Sequence, residues 1–76
     1  MNFMEQSLSS INNCNIGKKT KIMQFVNLYG CTVGNNCFVG PFVEIQKNVL
    51  IGNHTRISSH TFVCEGVKIG DNCFIA

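Results

Sequence analysis

The fold is decided by one stretch, Val33 to Ile57, which reads VGNNCFVGPFVEIQKNVLIGNHTRI. Within it Val33, Val39, Ile45, Ile51 and Ile57 recur every six residues, and Cys37, Val43, Val49 and Thr55 recur four residues after each of the first four. A period of six belongs to neither an amphipathic helix nor a flat strand. On a helix of 3.6 residues per turn the column would drift around the cylinder, so helix is rejected. Short strands of β-branched residues separated by turns accommodate it.

Extended outward, the register runs through Ile16, Ile22 and Leu28 on one side and Val63, Ile69 and Ile75 on the other. All eleven positions are Ile, Leu or Val, although these types fill only 18 of 76 positions, so chance does not account for the column. The one defect is a five-residue step from Leu28 to Val33. The companion column four residues on is small or β-branched throughout: Thr20, Val26, Thr32, Cys37, Val43, Val49, Thr55, Thr61, Val67 and Cys73. Glycine follows the aliphatic at Gly17, Gly34, Gly40, Gly52 and Gly70, where backbones can approach closely or the chain can turn. Three six-residue steps close one coil of a triangular parallel β-helix with the aliphatics on its axis.

Composition agrees. Seventy-six residues allow one small domain, and 45% apolar with 13% charged residues excludes a disordered chain. Six Lys and Arg against four Asp and Glu is too light a charge for a nucleic-acid binder held by phosphate contacts. No apolar run approaches the ~20 residues of a membrane-spanning helix, and no secretory signal opens the chain, so the expected compartment is the cytoplasm. Five cysteines without a CxxC pair argue against a disulfide framework or a sequential zinc motif. Cys37 and Cys73 read as small core side chains, Cys14 joins them if the register runs back, and Cys31 and Cys64 fall outside the column.

Counted from the register, one coil of 17 residues (Ile16 to Thr32) precedes two of 18, about three coils in all, and a fourth opens before Ala76. Residues 1–15, with Ile11 one place out of register, are expected to form an N-terminal cap, and residues 16–76 the coils. The chain is expected to be the N-terminal part of a longer, truncated β-helix, or else an open prism that covers its edge by association.

The six-residue rule resembles the left-handed β-helix acyltransferases of the hexapeptide-repeat superfamily. The stretches Ile16-Gly17-Lys18-Lys19-Thr20-Lys21-Ile22, Gln24-Phe25-Val26, Ile45-Gln46-Lys47-Asn48-Val49 and Ser59-His60-Thr61-Phe62-Val63-Cys64-Glu65 look like the N-acetyltransferases that act on nucleotide-linked 3-amino-sugars. The resemblance implies left-handed winding, acetyl-CoA as co-substrate, a nucleotide-linked amino-sugar as acceptor, a role in bacterial surface glycan (lipopolysaccharide) synthesis, and homotrimers with active sites between neighbouring prisms.

Acetyl transfer to an amine needs a proton acceptor and groups that orient the sugar. His60, three residues past Ile57, is outward in one column with Phe42 and Phe25, and an imidazole suits general-base work. Glu65, two past Val63, is outward and could hold a sugar hydroxyl or the acceptor ammonium. His60 and Glu65 are therefore the candidate catalytic residues, and Gln24, Asn27 and His54 the candidate substrate-binding ones. The plainer reading makes each a solvated surface side chain, with Glu65 paired to Lys47. Arg56, Lys18, Lys19 and Lys21 are cations that could meet phosphates or merely confer solubility.

Two other functions fit the same pattern. One is a non-catalytic β-helix assembly module. The other is a protein like the gamma-class carbonic anhydrases, whose prism is similar but which need three histidines on zinc. Here there are only His54 and His60, which lie on adjacent faces, so no metal site is expected.

Overall fold

The computed structural model describes residues 9–76. It contains twelve short strands: β1 (Ser10–Asn12), β2 (Asn15–Ile16), β3 (Lys21–Ile22), β4 (Asn27–Tyr29), β5 (Thr32–Val33), β6 (Phe38–Val39), β7 (Glu44–Ile45), β8 (Leu50–Ile51), β9 (Arg56–Ile57), β10 (Phe62–Val63), β11 (Lys68–Ile69) and β12 (Phe74–Ile75). They form three parallel sheets, each with every third strand. The first face holds β1, β4, β7 and β10, the second β2, β5, β8 and β11, and the third β3, β6, β9 and β12. Each face carries four rungs, so the expected three-sided β-helix is present, with about four turns.

Strands this short are stable only because every rung is bonded to its neighbour. Their flanking amides donate to the adjacent coil, as Gly34 N–H does to Ile51 C=O at 2.8 Å. The axis is packed with Leu28, Val33, Val39, Ile45, Ile51, Ile57 and Val63, and Val26, Cys31, Cys37, Val43 and Val49 fill the space beside them. Thr55 lies in the same column at 1% exposure. Its buried hydroxyl donates to Gly70 C=O at 2.8 Å and accepts from Cys73 N–H at 3.2 Å, so no polar group is left unpaired there.

The corners have a shared backbone geometry. Asn13, Lys19, Asn36, Phe42, Asn48, His54, His60 and Asn72, with Gly30 and Gly66, all adopt positive φ between +56° and +83°. This left-handed region recurs three residues past the aliphatic, or two past it at the short corners, where Asn13 follows Ile11 and Gly30 follows Leu28. Asn, Gly and His tolerate it better than most residues, which explains most of the corner occupants.

The structure corrects one reading of the columns. Cys31 is 1% exposed and belongs to the core, whereas Thr32 faces outward in β5 opposite Leu50. The residue missing between Leu28 and Val33 is lost at the corner, so Cys31, two residues before Val33, takes the small inward position. Gly30, at φ = +64°, closes that short corner, and a Cβ there would meet Lys47 Cβ at 2.8 Å. The same short corner occurs one coil earlier, where Ile11 lies beside Leu28 and Ile16 beside Val33. Ile11 is thus in the aliphatic column, five residues before Ile16. Of the segment expected as a cap, residues 1–8 lie outside the described residues, and Ser10–Asn12 is the first rung of the first face.

Candidate functional site

Which side chains share a surface follows from the order of faces and corners. The chain passes from the third face round a corner to the first face, and then round the next corner to the second. Gln24, Phe25, Pro41, Phe42, Ser59 and His60 occupy the corner between third and first faces. Glu65 stands at the corner between first and second. Asn27 lies between them, in β4. Four of the five sequence candidates, His60, Glu65, Gln24 and Asn27, therefore border one face. His54 is on the remaining corner, between second and third faces, and is not brought to the other four.

Along the third–first corner, aromatic rings stack in a ladder. The Phe25 and Phe42 centroids are 5.7 Å apart, and the Phe42 ring and His60 imidazole are 5.0 Å apart at 26°. Backbone bonds set the spacing: Phe42 N–H donates to Phe25 C=O at 2.8 Å, and His60 N–H to Pro41 C=O at 3.1 Å. Phe42 is the odd member. It holds a left-handed φ of +61°, unfavourable for a bulky side chain, while the residue is 53% exposed. Neither burial nor backbone preference accounts for a phenylalanine there.

The first face carries an outward row of Asn27, Glu44 and Phe62, paired rung to rung. Glu44 accepts from Gln46 Nε2 at 3.3 Å, and Gln46 Oε1 accepts from Glu65 N–H at 3.0 Å. Glu65 is thereby held by its backbone, leaving its carboxylate at the exposed corner. Glu44 and Gln46 were not singled out from sequence. The signal was present, since Glu44 precedes Ile45 by one residue and so must face out, 17 residues after Asn27.

The other cations are placed elsewhere. Lys21, Phe38, Arg56 and Phe74 alternate along the third face, and the Arg56 guanidinium lies 4.2 Å over the Phe38 ring. Lys18 and Lys19 share the second–third corner with His54. There Lys18 N–H donates to Asn35 Oδ1, Asn35 N–H to Asn53 Oδ1 and Asn53 N–H to Asp71 Oδ1, at 2.7–2.8 Å. That ladder is structural, because it ties four successive corners together. His54 and His60 stand on different corners. Among the described residues no group of three or more His, Cys, Asp or Glu is placed to hold a metal ion, and no helix is long and apolar enough to cross a membrane.

A parallel prism of six-residue steps, with left-handed corners and a polar face bounded by an imidazole and a carboxylate, defines the class: a hexapeptide-repeat β-helix. Residues 13–47 and 30–65 match the bacterial transferase hexapeptide (six repeats) family. The chain belongs to that family. It is similar to the bifunctional protein GlmU of Clostridium beijerinckii, 33% identical over 73 residues, or 95% of this chain and 16% of that protein. It is also similar to the proteins of the same name from Prochlorococcus marinus, 38% identical over 56 residues covering 72% of this chain and 12% of the relative, and Wolbachia pipientis, 36% over 52 residues covering 68% and 12%. The chain thus spans 12–16% of the length of these curated relatives.

Proposed function

We propose that this chain forms the β-helix portion of an acetyl-CoA-dependent N-acetyltransferase acting on a nucleotide-linked amino-sugar. The pathway is bacterial surface glycan synthesis, the compartment the cytoplasm, and the working form a homotrimer. Membership of a bacterial transferase family supports the reaction class. The observation that carries the reading is the exposed ladder of His60 on Phe42, with Phe42 kept in an unfavourable backbone geometry, bordering the face that holds Asn27 and has Glu65 at its other corner.

In this reading the acceptor amine, in its neutral form, attacks the thioester carbonyl of acetyl-CoA. The C–N bond forms, the C–S bond breaks, and the amine proton passes to His60 or to a water it holds, while the departing thiolate is reprotonated. Glu65 orients the sugar through a hydroxyl. Asn27 and Gln24, on the same face and corner, contact the nucleotide. His54, on a separate corner, meets substrate only through a neighbouring prism. Among the described residues no cavity encloses His60 or Glu65. A second copy against the first face supplies the other wall, and Phe62, 59% exposed on that face, is the apolar contact for it.

The test is steady-state acetyl transfer by the full-length protein with nucleotide-linked amino-sugars. His60→Asn removes the titrating ring yet suits the left-handed corner, as Asn36, Asn48 and Asn72 do, so it should leave Tm unchanged and lower turnover at least about tenfold. Glu65→Ala should lower it by a similar factor. Thermal shifts with acetyl-CoA and with the acceptor should raise Tm by mass action. Unchanged kinetics in both variants, with no shift from either ligand, would instead support a non-catalytic assembly module.

A further inference from the structure

The small inward columns hold all but one of the five cysteines, and the register determines which can meet. The column at the start of the second face reads Cys14, Cys31, Val49, Val67, and the column at the start of the third reads Thr20, Cys37, Thr55, Cys73. Cys37 and Cys73 are therefore two rungs apart with Thr55 between them, and Cys64 is exposed at a corner. Cys14 and Cys31 are stacked on adjacent rungs. Their sulfurs lie 3.4 Å apart, and Asn15 N–H donates to Cys31 C=O at 3.0 Å, which locks the two coils in register beside them.

We propose that Cys14 and Cys31 form a two-thiol oxidation site whose substrate is a small hydroperoxide and whose product is a disulfide clamping the first coil to the second. Adjacent rungs are separated by about 4.8 Å, within the Cα–Cα range that a disulfide spans without backbone movement. Access is asymmetric. Cys14 is half-buried and reachable at the first rung, whereas Cys31 is 1% exposed. Burial, then the Cys14 sulfur beside it, push the Cys31 thiol up to about 12, and either sulfur can donate to the other across the 3.4 Å contact.

The Cys14 thiolate attacks the terminal hydroxyl oxygen of the hydroperoxide, the O–O bond breaks, and the other oxygen leaves as alkoxide (hydroxide for hydrogen peroxide) to be protonated to alcohol or water, giving Cys14 sulfenic acid. The Cys31 sulfur then attacks the Cys14 sulfur. The S–O bond breaks, and the Cys31 proton leaves with the hydroxyl as water. In total two thiols lose two electrons and the hydroperoxide gains them. The first-rung residues beside the site, Ile11 and Ile16, are 47% and 36% exposed. A clamp here restrains β1 and β2.

The test uses the whole chain in a Cys64→Ser background, treated with hydrogen peroxide and then alkylated under denaturing conditions. Trypsin separates Cys14, in peptide 1–18, from Cys31 and Cys37, in peptide 22–47, and fragment ions distinguish the latter two. The expected result is a protein two hydrogens lighter, carrying a Cys14–Cys31 link and regaining all its thiols with dithiothreitol. Hydrogen exchange at the Asn15 and Gly17 amides should slow about tenfold or more in the oxidised form. Adding Cys14→Ser should abolish the link. Alkylation of both Cys14 and Cys31 after peroxide, or a link between any other pair, would overturn the proposal. The mapping in the single-substitution background decides this even if the double variant does not fold.

Discussion

His54 and His60 meet a backbone requirement before any chemical one: both stand at corners with φ near +60°, where Asn or Gly stands at most of the others. His54 has no further distinction, because its column holds Asn36 and Asn72. His60 does, through its stack on Phe42. A sequence reading found both residues through the six-residue step, yet the corner's left-handed geometry was legible only as a recurrence of Asn, Gly and His three residues past most of the aliphatics, with Lys19 and Phe42 as exceptions. Side-by-side glycines give a sharper test of corner packing. A Cβ on Gly34 would lie 2.8 Å from the Gly52 carbonyl carbon, whereas one on Gly70 would meet nothing within 4 Å. Gly34→Ala is expected to cost about 1–3 kcal/mol in urea unfolding and Gly70→Ala less than about 0.5 kcal/mol. Cys31 adds a pH test. Its thiol, ordinarily at 9.0, is raised by burial to about 12, so its stabilising contribution is complete below pH 9 and is lost as pH rises toward 12. Cys31→Val, which matches Val49 and Val67 in the column, should show a shallower alkaline decline in urea midpoint than the parent.

Two-residue strands have almost no stability of their own, so each element depends on the rung above and below it. The aliphatic that points to the axis therefore matters far more than its outward neighbour. Ile57 is 0% exposed and Leu50 45%. Ile57→Ala is expected to destabilise by about 2–5 kcal/mol through the cavity it leaves, and Leu50→Ala by less than about 0.5 kcal/mol, both by chemical denaturation. From Ile16 onward the aliphatic column was legible in sequence because every inward position is Ile, Leu or Val. The short corners were not. A single deletion can be placed on either side of the corner, and counting forward from Leu28 assigned Thr32 inward where counting back from Val33 assigns Cys31. Burial follows the second count, because the turn absorbs the missing residue and the strand that follows keeps its pleat. The same ambiguity made Ile11 look out of register.

At the scale of the whole prism, sequence placed His60, Glu65, Gln24 and Asn27 on outward positions, and the order of faces gathers them round one face while separating His54. That grouping depends on which corner each residue occupies, which a linear column does not state. Glu44 and Gln46 complete the face, and Arg56 is engaged with Phe38 on another. A face that pairs this polar row with exposed Phe62 suits a neighbouring prism. On the proposed reading of a homotrimeric acetyltransferase with its site between copies, Phe62→Lys is expected to shift the full-length protein toward monomer in sedimentation velocity and to lower acetyl transfer with it. All of these placements rest on the wrap itself, which has a numerical signature. Rungs are offset by 17 residues up to Leu28 and Ile45, then by 18 from Val33 and Ile51 onward. The most direct measurement is a nuclear Overhauser spectrum of the labelled protein. Cross-rung contacts should join Leu28 to Ile45 and Ile16 to Val33, then Val33 to Ile51 and Ile45 to Val63, the spacing changing at the second short corner. Helical contacts three and four residues apart, or a uniform 18-residue offset throughout, would contradict it.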